Sequence, residues 1–139
     1  MPKFITLCAA FSLATASPLL ADGVAIVQAP EQAIGMAFGT DPQQTVGDAI
    51  AECVEQGAYA EDCAVTHWCS PAGWTMMIFA QHQEGNHWGE FYCGIPDRAL
   101  IESMAEVVCN PNIRPELIMC EIVQIYDPMG EPEIEYNTF

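Results

Sequence analysis

Short apolar runs and two helix-like stretches alternate along this chain. Val24–Ala29 and Ala33–Gly39 are apolar runs separated by a turn that contains a proline, a pattern typical of a β-hairpin half-buried in a sheet. A helix is predicted next, because Asp41 is a good N-cap and Pro42 suits the first helical position. After a short polar loop, Cys63–Cys69 is predicted as a further strand.

The first predicted helix has one apolar face and one acidic face. Its apolar residues recur at helical spacing and are Val46, Ala49, Ile50, Cys53 and Val54. Asp48, Glu52 and Glu55 lie on the opposite, solvated side of the helix. Gly57 is placed to end it. Cys53 is therefore predicted on or beside the buried face.

The same order of elements recurs in the second half of the chain. A second helix is predicted to begin near Pro96, to carry Cys109 at its end and to stop at Asn110–Pro111. The strands predicted around this helix are Trp74–Ala80, Trp88–Cys93 and Leu117–Tyr126.

An internal repeat connects the two halves. Gly35–Pro42 aligns with Gly89–Pro96, and Cys63–Cys69 aligns with Cys120–Tyr126. The two units, residues 23–69 and 74–126, are each strand–strand–helix–strand, and neither is large enough to bury its apolar face alone. We therefore predict one α+β domain in which both units share an antiparallel sheet of about six strands, with both helices on one face.

The repeat also predicts the disulfides. Cys53–Cys63 and Cys109–Cys120 occupy equivalent places, each joining the end of a helix to the strand after it. Cys69 and Cys93 are then left to pair, which would join the two units. Since six cysteines allow fifteen pairings, this choice rests on the repeat and not on the number of cysteines.

Residues 1–21 have the pattern of a secretory signal peptide. Lys3 precedes the apolar run Phe4–Ala16, and small or apolar residues continue to Ala21, where cleavage is expected. The alternative is an uncleaved anchor, although the run is short for a membrane-spanning helix. Cleavage would leave a single α+β domain over residues 22–126 and an acidic tail over residues 127–139. A periplasmic or secreted location without membrane insertion is then expected.

Charge narrows the classes of partner. With Lys3 removed, Arg98 and Arg114 are the only strong cations against nineteen carboxylates, so the net charge is 2 − 19 = −17. Such a surface repels nucleic acid and anionic lipid and attracts cationic partners. The alternative is that acidity only keeps an exported protein soluble, or suits a saline habitat.

The pattern of cysteines and glycines resembles a known family. A hairpin, a helix ending in cysteine, a loop with Asp62-Cys63 and an apolar strand, all of it repeated, is similar to a family of small secreted bacterial domains of unknown function. The matching positions within residues 23–126 are Gly35, Ala49, Cys53, Asp62, Cys63, Cys69, Gly89, Cys109 and Cys120. The resemblance implies the fold and export, and it implies no activity.

Candidate chemistry is sparse. No nucleophile motif such as G-x-S-x-G is present, and the six cysteines after residue 21 are expected to be oxidised, so we predict no enzyme and no cofactor. His82 and His87 flank a four-residue hairpin tip and are predicted to face each other, with His67 as a third candidate ligand for copper or zinc. The alternative is that these are ordinary exposed or sheet histidines.

Aromatic residues supply the candidate partner-binding surface. Trp68, Trp74 and Trp88 are expected to cluster near the junction of the repeats, as a platform for a protein or glycan or, alternatively, as core. Tyr136 and Phe139 lie among the carboxylates of the tail, which is either a docking segment or a frayed end. These observations favour a non-enzymatic accessory or inhibitor protein for a protein partner with a basic surface, with metal binding as the alternative.

Overall fold

A computed structural model describes residues 22–133, so the predicted signal peptide and residues 134–139, which include Tyr136 and Phe139, lie outside the described part. A 3-10 turn over Arg98–Leu100 precedes the second helix. In chain order the elements are β1 Gly23–Ala29, β2 Ala33–Gly39, α1 Pro42–Glu55, β3 Ala64–Cys69, β4 Trp74–His82, β5 His87–Ile95, α2 Ile101–Val108 and β6 Leu117–Tyr126.

The strands form two antiparallel sheets of three strands each. The first sheet has the order β2-β1-β3 and the second sheet has the order β5-β4-β6. The predicted α+β class is confirmed, but the prediction of one sheet shared by both units is wrong. Each unit builds its own sheet around its own first strand, and within residues 22–133 no strand of one sheet pairs with a strand of the other.

The central strand of the first sheet, β1, is buried on both faces. Ala25 and Val27 of β1 pack under Ala49 of α1, whereas Val24 and Ile26 point the other way, toward the second sheet. Because successive side chains of a strand alternate between faces, a central strand buried on both sides must be apolar throughout. This explains why residues 23–27 of β1 are all apolar.

The second sheet repeats this arrangement in the opposite orientation. Met76 and Ile78 of β4 pack against Ile101 of α2, whereas Met77 and Phe91 face the first sheet. The layers are therefore α1, first sheet, second sheet and α2. The two helices lie on opposite outer faces, so the prediction that they share one face is wrong.

The three disulfides link the layers as the repeat predicted. Cys53–Cys63 joins the end of α1 to the residue just before β3, with a Cα–Cα distance of 6.2 Å. Cys109–Cys120 joins the end of α2 to a residue within β6, with a Cα–Cα distance of 5.5 Å. Cys69–Cys93 joins β3 to β5, that is, the first sheet to the second, with a Cα–Cα distance of 5.9 Å. All three predicted pairings are confirmed.

The chain folds back on itself after β6. Oδ1 of Asp127 accepts hydrogen bonds from the backbone N–H groups of Met129 and Glu131, and the N–H of Glu133 donates to the carbonyl of Ile125 at 2.8 Å. The segment predicted as a tail from residue 127 is thus folded against β6 at least as far as residue 133. No helix within residues 22–133 has the length and apolar character needed to cross a membrane.

Candidate functional site

Both arginines of the described residues are occupied by carboxylates of the same chain. Arg98 pairs with Glu102 at 2.6 Å and with Glu133. Arg114 pairs with Glu90 at 2.7 Å and more distantly with Glu116 at 3.7 Å. The other carboxylates between residues 22 and 133 have no arginine within ion-pair distance. The surface is therefore anionic, and its own cations do not neutralise most of it.

The Arg114 pair belongs to a closed polar cluster on the outer face of the second sheet. Both terminal nitrogens of Arg114 donate to Glu90, at 2.9 and 2.7 Å. Trp88 Nε1 donates to the same carboxylate at 2.7 Å and the Tyr92 hydroxyl at 3.0 Å. The hydrogen bonds from Arg114 lower the pKa of Glu90, although partial burial acts in the opposite direction. The pKa of Tyr92 is raised, first by burial and then by its hydrogen bond to Glu90. The cluster stabilises the fold, since its donors and acceptors are already matched.

The three tryptophans do not form a shared platform. Trp68 lies opposite Ala25 on the outer face of the first sheet. Trp74 begins β4, whereas Trp88 pairs with Ala80 six residues along the same strand, so their backbone positions are about 20 Å apart along the sheet. The prediction that they cluster is wrong, because two of them lie at opposite ends of one sheet and the third lies on the other sheet.

The histidines are also dispersed. His87 pairs with Gln81, so His82 follows on the opposite face of the hairpin, and the predicted face-to-face pair does not form. Nδ1 of His82 instead accepts from the N–H of Glu84 at 3.1 Å. His67 pairs with Ile26 and lies near Phe91 between the sheets. No group of three or more histidine, cysteine, aspartate or glutamate side chains within residues 22–133 is placed to hold a metal ion.

A cavity of about 160 Å³ lies between the two sheets at the edge formed by β2. Side chains from four different strands form its walls: Ile34, Met36, Met77, Phe91 and Tyr126. Two polar side chains of α1, Glu52 and Gln56, complete the lining. Because α1 lies on the outer face of the first sheet, these two side chains reach the cavity only around the β2 edge. They therefore mark its open side.

Glu52 is held in place at this opening. Its Oε2 accepts a hydrogen bond from the backbone N–H of Met36 at 2.8 Å, and its Oε1 accepts one from Gln56 Nε2 at 3.3 Å. The first bond also covers the free edge of β2, where an unpaired N–H would otherwise face water or another strand. Burial, and to a lesser degree the charge of Glu52, raises the pKa of Tyr126. A carboxylate thus stands at the mouth of a cavity that has polar side chains from α1 on its open side and mainly apolar side chains on its other walls.

The sequence carried no signal for this site. The helical pattern places Glu52 on the solvated side of α1, which is correct for its position on the helix but does not indicate the direction of its carboxylate. The walls come from β2, β4, β5 and β6, and only the packing of two separate sheets brings them together.

Comparisons with protein-family models, with curated proteins and with solved structures found no match. The resemblance to small secreted bacterial domains therefore stays a prediction from the residues.

Proposed function

We propose that this chain is a non-enzymatic, exported binding protein that acts as an accessory or inhibitor module for a protein with a basic surface. In this proposal residues 1–21 are removed on export, and the mature protein lies in the periplasm or outside the cell. The family resemblance supports export and adds no activity.

The occupation of both arginines is the observation that carries the proposal. If the protein carried equal numbers of acidic and basic side chains, its electrostatic field would extend only a short distance from the surface. Here Arg98 and Arg114 are used internally, so the remaining carboxylates act together on the surroundings. Such a field raises the association rate of a cationic partner and disfavours nucleic acid and anionic lipid.

The disulfides support the proposed location. Three bridges in a domain of this size are typical of oxidising compartments, where small domains compensate for a limited core. They also keep the surface rigid, which lowers the entropic cost of binding a partner.

Capture at two salt concentrations tests the proposal. The oxidised protein, residues 22–139, is immobilised and exposed to periplasmic and extracellular fractions of the organism that encodes it. We expect one basic protein in stoichiometric amount at low salt and its loss at high salt, because salt screens exposed charges. A variant with Asp48, Glu55, Glu106 and Glu121 changed to their amides should bind it more weakly. Absence of any partner, or binding indifferent to both salt and these amides, would overturn the proposal.

A further inference from the structure

We propose that the cavity between the sheets receives an apolar side chain of the cationic partner, while Glu52 pairs with a lysine or arginine next to that side chain. This inference rests on the proposed function and names the contact that would make binding specific. The partner segment would present one apolar residue adjacent to one cation.

Size and lining select the apolar half of this ligand. Pockets for cofactors and drug-sized molecules enclose about 300 Å³ or more, whereas an apolar cavity of about 150 Å³ accommodates a body the size of benzene. At about 160 Å³ the cavity matches a single leucine, methionine or phenylalanine side chain. Met36 and Met77 in its walls are unbranched and can adjust to the shape of the side chain that enters.

Glu52 selects the charged half. Its two hydrogen bonds come from neutral donors, Met36 N–H and Gln56, and it has no salt bridge with either arginine of the described residues. A carboxylate can accept about four hydrogen bonds, so it retains capacity for a cation. Because α1 and the β2 edge already hold the carboxylate, its pairing with a cation costs little further ordering.

The arrangement also excludes other ligands. An anion would meet Glu52 at the opening, and a wholly apolar ligand would leave that carboxylate partly desolvated without a partner. The ligand chemistry is therefore a cation joined to an apolar body.

A minimal probe tests the cavity without knowledge of the partner. n-Hexylammonium contains both halves, n-hexanol only the apolar half, methylammonium only the cation, and hexanoate the reversed charge. We expect saturable shifts of the Met36 and Met77 methyl NMR signals with n-hexylammonium, and binding about fivefold weaker or worse with the other three. The exposed Met119 and Met129 serve as internal controls.

Two matched variants locate the charge. Glu52→Gln keeps an oxygen for the Met36 N–H but removes the charge, and it should weaken n-hexylammonium about fivefold while leaving n-hexanol unchanged. Glu55→Gln removes the same charge from the exposed side of α1 and should change neither. Equal affinity of both variants for n-hexylammonium, or shifts at Met36 and Met77 no larger than at Met119, would overturn the inference.

The captured partner separates this inference from the proposed function. We expect Glu52→Gln to weaken the partner much more than Glu55→Gln. Equal small effects of both would leave the electrostatic proposal standing and remove the cavity from it. If deletion of residues 134–139, or dilution of the protein alone, shifted Met36 and Met77, the occupant would be the chain's own end or a second copy, and the inference would be wrong.

Discussion

The two halves of this molecule share an element order and a strand order but pack their helices differently. α1 lies on small residues: Gly35 of β2 is so close to the helix that an added Cβ would come within 2.6 Å of the backbone nitrogen of Cys53. α2 rests on the larger Met76 and Ile78, with Ile101 filling the gap. The same topology thus tolerates two helix–sheet distances, because the size of the intervening side chains sets the spacing.

The two aligned glycines show where the likeness of the halves ends. Gly35 faces outward, toward α1, whereas Gly89 faces inward, beside Met77 and Ile34. Since adjacent strand residues point to opposite faces, two strands whose local irregularities differ place aligned residues on different layers. β5 contains such an irregularity opposite Trp74–Met76, and β2 pairs with β1 without one. The cysteine pairs keep their equivalence, and this pair of glycines does not.

Alanine substitution of these two glycines should give the largest difference in unfolding free energy between the two halves. Gly35→Ala would place a Cβ against backbone atoms of Ala49 and Cys53, which cannot move without displacing α1, and should cost about 3 kcal/mol. Gly89→Ala would meet the terminal methyl of Met77 at 2.8 Å, and this flexible side chain can turn away, so the cost should stay under about 1 kcal/mol. Urea unfolding of the oxidised proteins measures both.

Gly47→Ala is the control for the helix itself. Gly47 lies within α1, and within residues 22–133 an added Cβ meets no atom within 4 Å outside its chain neighbours and the helix's own backbone, so alanine should stabilise by about 1 kcal/mol through helix propensity. Equal losses for Gly35→Ala and Gly89→Ala would contradict the packing difference between the halves.

Removal of each of the two equivalent disulfides should give a smaller difference in unfolding free energy between the two halves. Their loops differ by one residue, with sequence separations of 10 and 11, so chain entropy predicts about 3 kcal/mol for each. Cys53 of α1 and Cys63 are buried in the cluster between α1 and the first sheet, whereas Cys109 and Cys120 are partly exposed. The double alanine variant of the first pair should therefore lose about 1 kcal/mol more, through the cavity it leaves. Unfolding free energies that order the pairs the other way would contradict this.

The Glu90–Arg114 pair should make the second half more sensitive to acid. The pKa of Glu90 is lowered in the folded protein from an ordinary value of 4.5, so its contribution is fully present above that value and is lost as the pH falls through the lowered pKa. Arg114→Ala should cost about 2 kcal/mol at neutral pH, because it leaves a partly buried carboxylate without its cation, with only the hydrogen bonds from Trp88 and Tyr92.

Glu90→Gln tests the pH dependence directly. The difference in unfolding free energy between the wild type and this variant should shrink as the pH falls below 4.5. An equal change at Glu84, which is exposed on the hairpin tip, should leave the pH profile close to that of the wild type. A difference for Glu90→Gln that is constant with pH would contradict the assigned shift.

Two buried threonines should give the smallest effects, with opposite signs. The hydroxyl of Thr45 in α1 donates to the Asp41 carbonyl at 2.6 Å, whereas the hydroxyl of Thr75 in β4 is buried without a hydrogen-bond partner among residues 22–133. Thr75→Val should stabilise by about 1 kcal/mol, because it removes an unsatisfied polar group without loss of volume, and Thr45→Val should destabilise by about 1 kcal/mol. Calorimetric melting temperatures that fall for both would show that Thr75 has a partner after all.

Much of the local structure could be predicted from the residues. Asp41 and Pro42 begin α1 as expected, and the N–H of Gln44 donates to Oδ1 of Asp41 at 2.8 Å. Ala33–Gly39 and Leu117–Tyr126 are strands with the predicted bounds. Capping and alternation act over a few neighbouring residues, so they are readable along the chain.

The candidate site could not be predicted in the same way. The predicted histidine pair does not form, because the hairpin register differs by one residue from the predicted one and this difference moves a side chain to the other face of the sheet. The predicted tryptophan cluster does not form, because nearness in sequence to the junction of the repeats does not determine where a residue lies on either sheet. The helical pattern identifies Glu52 only as a solvated residue, because its carboxylate turns toward the edge of β2, a different element of the fold.

The sequence by itself determined the elements, their order and the three disulfides, because each depends on local periodicity, on turns or on a repeated spacing of cysteines. Tertiary structure alone decided that the strands divide into two sheets, that the helices lie on opposite faces, and that a cavity guarded by Glu52 opens between them. The physical reason is that an apolar face is satisfied by any apolar layer of suitable shape. The hydrophobic pattern indicates which face of an element must be buried, and only tertiary packing determines which other layer covers that face.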